Sequence, residues 1–226
     1  MGSFVDTVFA VGMKLIYEPS RNETLRRVVT ALSDCSGVAF LPEEPEALDD
    51  PEVQDVTLIH PSYTAANGFP NSWISVSVGS YPESRLGAVF VNILLAEVED
   101  QVEAEWSAGE LIFRRLVSEM KPLLGFMTVW VVDDDDDDPM FPSEKPLDGS
   151  VLPREFTPLT YFSGPDRDES LRRRLEALTV PVSRPLDSGW LVQAVDRPHD
   201  QPQAAFLDEL RVLTDRPISY RRPGPD

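Results

Sequence analysis

The segment from Ala88 to Val98 is long and almost wholly apolar, and that run constrains the fold more than any other feature of the chain. Successive strand residues point to opposite faces, so an apolar run of this kind belongs in the interior of a sheet, covered on both sides. The segment Trp73 to Val78 reads differently. Trp73, Ser75 and Ser77 alternate with Ile74, Val76 and Val78, the pattern of a strand with one face in the core and one toward solvent. Val56 to His60 is a third, shorter strand candidate.

Around this cluster the chain alternates between strand and helix signals. A first strand is expected from about Val5 to Tyr17, ended by Glu18-Pro19-Ser20. Asn22 is a suitable N-cap for a helix whose Leu25, Val28, Val29 and Leu32 form one apolar stripe, stopped near Gly37. Val38 to Leu41 is a short strand. A long helix covers about Val102 to Lys121, with Trp106, Ile112, Phe113, Leu116, Val117 and Met120 on its buried side and Pro122 closing it. Strands follow at Phe126 to Val132, Leu159 to Phe162 and Trp190 to Val195, with Ile218 to Tyr220 as a closing strand. Helices are expected at Asp168 to Leu178 and Gln203 to Leu213. Three strands grouped between the first two helices favour an α+β fold, a mainly antiparallel sheet with four helices.

Pro139 to Pro158, with five prolines and little periodicity, divides the chain. Residues 1–138 form an N-terminal α+β half, 139–158 a proline-rich connection and 159–226 a C-terminal α+β half, and the halves are free to form one compact domain. Arg21-Asn22-Glu23-Thr24-Leu25-Arg26-Arg27 recurs as Arg167-Asp168-Glu169-Ser170-Leu171-Arg172-Arg173, each after an apolar segment that holds a tyrosine, Tyr17 or Tyr161. The match has two readings: related strand–helix–strand halves packed on one sheet, or two surface helices with polar caps and arginine-rich outer faces.

The chain carries 39 acidic against 20 basic side chains, a formal charge of −19. That balance excludes the usual nucleic-acid binder, which needs a basic face, and argues against an anionic membrane surface. The apolar stretch Phe4 to Tyr17 contains Asp6 and Lys14 and falls short of the ~20 residues a membrane helix needs, so the cytoplasm is the expected compartment. A single cysteine excludes a disulfide framework or a multi-cysteine zinc site.

The least ordinary feature is the run Asp133, Asp134, Asp135, Asp136, Asp137 and Asp138. Six adjacent carboxylates repel one another; they form a solvated loop, face a basic partner, or gather a hard cation. The alternating ligands and central glycine of an EF-type calcium loop are missing. A second acidic group, Glu43, Glu44, Glu46, Asp49, Asp50, Glu52 and Asp55, is set among Pro42, Pro45 and Pro51. His60, His199 and Cys35 stand alone, without metal-ligand or nucleophile spacing. No G-x-S-x-G, G-x-x-x-x-G-K-[ST], H-E-x-x-H or G-x-G-x-x-G motif occurs, and nothing calls for a cofactor or a metal. Trp106 and Trp130 lie on apolar faces and read as core. Tyr63, Phe69 and Trp73 flank the turn Ala65 to Asn71 and suit an interface, where aromatic anchors sit inside a charged rim.

Leu159-Thr160-Tyr161-Phe162, the helix after it, Ser188-Gly189-Trp190-Leu191-Val192-Gln193 and the segment Phe206 to Leu213 resemble the C-terminal part of immunity protein family 52, over about residues 157 to 214. These are α+β proteins that protect bacteria from polymorphic or secreted toxins. The resemblance implies a cytoplasmic non-enzyme that binds one cognate toxin, and it assigns no functional residue. On this reading the partner is a basic toxin domain, met by Asp133 to Asp138 with Tyr63, Phe69 and Trp73. Two other classes stay open: a carboxylate- and divalent-metal-dependent hydrolase or transferase, and a salt-adapted acidic scaffold.

Overall fold

Strand β1 (Val8–Tyr17) organises the molecule because it is paired antiparallel on both sides, with β5 (Gly87–Leu95) and with β6 (Leu124–Val132). A computed structural model describes residues 8–17, 24–33, 41–42, 48, 53, 55–59, 73–80, 86–95, 102–132, 141, 153, 155–164, 169–178, 182–197, 200, 206, 208–209 and 219–220. The remaining elements are α1 (Thr24–Ser33), β2 (Leu41–Pro42), β3 (Asp55–Ile59), β4 (Trp73–Ser80), α2 (Val102–Met120), β7 (Glu155–Phe156), β8 (Leu159–Ser163), α3 (Glu169–Glu176), β9 (Val182–Leu186), β10 (Gly189–Gln193) and β11 (Ser219–Tyr220). Among the described residues nine strands form one sheet in the order β2-β3-β4-β5-β1-β6-β8-β10-β9, and β7 pairs with β11 in a separate two-stranded ladder. The sheet crosses the proline-rich connection without a break, since β6 pairs with β8.

Strand alternation sorts the side chains into two cores. On the first face Val11, Met13 and Leu15 of β1 join Ile74 and Val76 of β4, Val89 and Val91 of β5, and Met127 and Val129 of β6 beneath α1 and α2. The helices seat themselves by their apolar stripes: Val28, Val29 and Leu32 from α1, Ile112, Phe113, Leu116 and Val117 from α2. On the second face Ile16, Phe126, Phe162, Trp190 and Val192 pack with Leu171 and Leu175 of α3 and with Phe141, Phe156 and Phe206. Each fully buried aliphatic or aromatic side chain of this kind contributes about 1.5–3 kcal/mol relative to exposure.

Helix ends follow local chemistry. Lys121, with φ 48°, takes the left-handed position after α2, its N–H bonds to the Val117 carbonyl at 2.9 Å, and Pro122 prevents continuation. An Arg27 guanidinium N–H from α1 donates to the Glu119 carbonyl near the same terminus, tying the two helices together. At α3, Ser183 of β9 donates to the Leu175 carbonyl at 3.0 Å and accepts from the Trp190 indole at 2.7 Å, so one hydroxyl joins helix, edge strand and core.

The expected α+β class with an antiparallel sheet is the one found, but two parts of the sequence reading are corrected. Among the described residues there are three helices, not four. The stretch 203–213 contributes Phe206, whose buried ring stands edge-on to Phe156 with centroids 6.5 Å apart. Phe206, Asp208 and Glu209 are helical, and the rest of the stretch lies outside the described residues. Nor are there two related strand–helix–strand halves. The strand after α1 lies four positions from β1, the strand after α3 only two from β8, and the two helices cover opposite faces of the sheet. The matching residues encode a shared helix surface: apolar positions inward, arginines outward.

Two predictions follow from packing. A Cβ at Gly189 would run into the Tyr161 ring and the Phe162 carbonyl oxygen, whereas one at Gly79 meets only the Phe90 ring at 3.8 Å. Urea denaturation is therefore expected to show Gly189→Ala destabilised by about 1–3 kcal/mol and Gly79→Ala within about 0.5 kcal/mol of the parent. Tyr17, buried against Gly87, has its phenol pushed above its ordinary value of 10.0 by burial, an effect opposed in part by a hydrogen bond with Thr24. A raised phenol pKa means the folded state holds its proton more tightly. This contribution is intact below about pH 10 and is lost as pH rises through the folded value. Tyr17→Phe should flatten the alkaline fall in denaturation midpoint; an identical alkaline profile would assign that fall to other groups.

Candidate functional site

The second face is covered unevenly. Its β6–β8–β10 side lies under α3 and the phenylalanines, while on β3, β4 and β5 the side chains of Thr57, Ser75, Ser77, Phe90 and Asn92 remain half-exposed and Asp55 is exposed. The opposite residues of the same strands, Val56, Leu58, Ile74, Val76, Val89 and Val91, are buried. The serines of β4 thus occupy the solvated side that their alternation predicted. β5 departs from expectation: among its described side chains Phe90 and Asn92 are only partly buried, so it is not fully covered on both faces. The strands buried on both sides are β1 from Val11 through Tyr17, β6 from Leu124 through Val129, β8 from Leu159 through Phe162 and β10 from Gly189 through Val192.

Register aligns the polar groups into a row. Thr57 lies opposite Ser75, Ser75 opposite Asn92, Asn92 opposite Gly12, and Gly12 opposite Thr128, all on this face across five adjacent strands. The next row runs Asp55, Ser77, Phe90, Lys14, Phe126 and Thr160. Lys14 is 6% exposed and holds its ammonium 5.6 Å from the centre of the Phe90 ring, a cation–π contact that softens the cost of burying it. Phe90 also packs against Phe141, with centroids 6.1 Å apart, which closes the row on the covered side. Thr128 is buried and donates to the Val129 carbonyl at 3.4 Å.

Asn92 is the unusual member. Its side-chain oxygen is buried and has no hydrogen-bond partner. An orphaned polar atom costs roughly 1–3 kcal/mol, so an amide at this position reduces stability unless something supplies a donor. The row as a whole offers hydroxyls and an amide, which suits hydrogen-bonded recognition of another polypeptide.

Most of the sequence-predicted contact residues are not among the described residues. Asp133 to Asp138, Tyr63 and Phe69 fall outside the described residues, as do Cys35, His60, His199 and the acids of the second group before Asp55. β6 does end at Val132, paired with Val8, so the aspartate run begins directly at the end of a central strand. Trp73 is the first residue of β4, opposite Ile59. Trp106 is buried, as expected of a core residue, and the side chain of Trp130 lies outside the described set. Among the described residues no group of three or more His, Cys, Asp or Glu side chains is placed to hold a metal, and no helix is long and apolar enough to cross a membrane. Sequence reasoning missed the polar row. Its signals were Asn92 within an apolar run and Lys14 within an apolar strand.

No protein-family model matches the chain, and no curated protein matches it. Among solved structures, the Pseudomonas aeruginosa T6SS protein PA0821 shares the fold at a TM-score of 0.51 and 10% identity, covering 95% of this chain and 74% of that one.

Removing the orphaned oxygen tests its cost. Asn92→Val substitutes a β-branched residue for an unpaired amide and should raise the unfolding free energy by about 1 kcal/mol in urea titrations. A loss of stability would mean that the amide is satisfied in solution.

Proposed function

We propose that this chain is a non-enzymatic protein-binding module of a bacterial secretion setting, an immunity protein that neutralises a cognate toxin. The observation that carries the reading is the fold shared with a T6SS protein along 95% of this chain. The resemblance of residues 157–214 to immunity protein family 52 belongs to the same reading, and no family model matches the chain there. Trp190, Tyr161 and Phe162 from those motifs are core residues, so the resemblance concerns the scaffold and leaves the contact surface open to divergence.

The chain's charge suggests the partner's chemistry. An excess of 19 negative charges steers a basic toxin domain toward the protein and can fill its cationic cleft with fixed carboxylates. Among the described residues arginine and lysine nearly match the acids, so most of the excess belongs to the segments around them, with Asp133 to Asp138 the densest. Partner contact through these aspartates, aided by Tyr63, Phe69 and Trp73, follows from this reading, and so does action in the cytoplasm of the protected cell.

Affinity capture from the source organism's lysate tests it. At about 50 mM salt the protein should retain one basic protein that arrests growth when expressed alone, and retention should fall sharply at about 500 mM, where exposed charges are screened within a few ångströms. Changing Asp133 to Asp138 to asparagine should weaken capture. Absence of any toxic partner at low salt would overturn the reading.

A further inference from the structure

β9 closes the sheet beyond β10, and the two strands differ in burial. In β10 the residues from Gly189 through Val192 are buried, Trp190 and Val192 in one core and Leu191 in the other. In β9 Arg184 and Pro185 are exposed, Ser183 and Leu186 are half-buried, and the connecting Asp187 and Ser188 are exposed. Among the described residues Leu186 is the β9 side chain that packs on a core.

What reaches β9 from the helices is polar. On the first face Glu110 of α2 is shared: it accepts from Arg114 of its own helix and lies 3.4 Å from the Arg184 guanidinium. Further along α2, Ser118 donates to the Asp187 carboxylate where β9 turns into β10. On the second face the Ser183 hydroxyl donates to the Leu175 carbonyl of α3 and accepts from the Trp190 indole. The strand is therefore tied at its middle, at its turn and to a helix end by hydrogen bonds and a partly exposed ion pair. Such contacts hold less strongly than buried apolar area, and segments with few buried contacts open before the rest of a domain.

We propose that β9 opens from the sheet as a unit while β10 stays paired with β8, and that Glu110, Ser118 and Ser183 form the latch that keeps it closed. Opening makes β10 the edge, with the backbone groups that faced β9 left free. An apolar strand with a free edge templates pairing with another chain, whereas closed β9 presents an arginine and a proline that resist it. The latch is a guard on strand pairing, a property of the fold that stands whether or not the immunity reading does.

Residue-resolved amide hydrogen exchange on the full chain tests it. In the parent, the amides bonded between β9 and β10 should exchange at least about tenfold faster than those bonded between β10 and β8. Glu110→Ala combined with Ser118→Ala, two substitutions that favour the helix they sit in, should speed the β9–β10 amides by about tenfold and leave the β8–β10 amides unchanged. Glu119→Ala, which removes the Arg115 pair from the same helix, serves as the control and should leave both sets at the parent rates. Equal rates in the two ladders, or a β9–β10 ladder that the double variant does not speed, would overturn the proposal. Faster exchange across the whole sheet in the double variant would overturn it too, because these contacts would then belong to the global fold.

Discussion

From Phe9 to Ile16, β1 is paired on both sides, and the two cores of the protein meet across it. Val11, Met13 and Leu15 commit it to the helical layer, and Ile16 commits it to the opposite core. A strand in that position cannot move without disturbing both cores. α2 approaches it closely because Gly109 has no side chain: a Cβ there would lie 3.0 Å from Val11 and 2.9 Å from Met127. The close seating of this helix leaves its outer face to ion pairs, Glu110 with Arg114 and, at 3.4 Å, with Arg184 of β9, and Arg115 with Glu119 at 3.1 Å. These pairs are partly or largely exposed and contribute little to stability, so apolar packing supplies most of the cohesion of this layer.

Much of this architecture was legible in the chain because local patterns encode it. The alternation in Trp73 to Val78, the stripe of the helix ending before Pro122 and the strand running into the aspartates all appear in the fold with small boundary shifts. Elsewhere the sequence signal was ambiguous. β9 was not anticipated because Arg184 and Pro185 interrupt any strand pattern, yet those residues suit an edge. The apolar run around β5 suggested burial on both faces, but exposure depends on what packs above, and nothing in the run reports that Phe90 and Asn92 are only partly buried. The polar row was illegible for a stronger reason. Its members come from five strands spread between Gly12 and Thr128, and only the register brings them into line.

The uneven cover of the second face is where stability and recognition diverge. Closing it with apolar residues over β3, β4 and β5 would enlarge the core, but the chain places serines, a threonine and an unpaired amide there. An acid excess of this size, 39 acidic against 20 basic side chains, favours encounter with cationic surfaces at long range.

Co-expression is the most direct test of the central claim, with the captured basic partner produced in a host cell either alone or beside this chain. The account predicts growth arrest by the partner alone and restored growth beside the chain. Arrest that the chain, folded and abundant, does not relieve would contradict the immunity function.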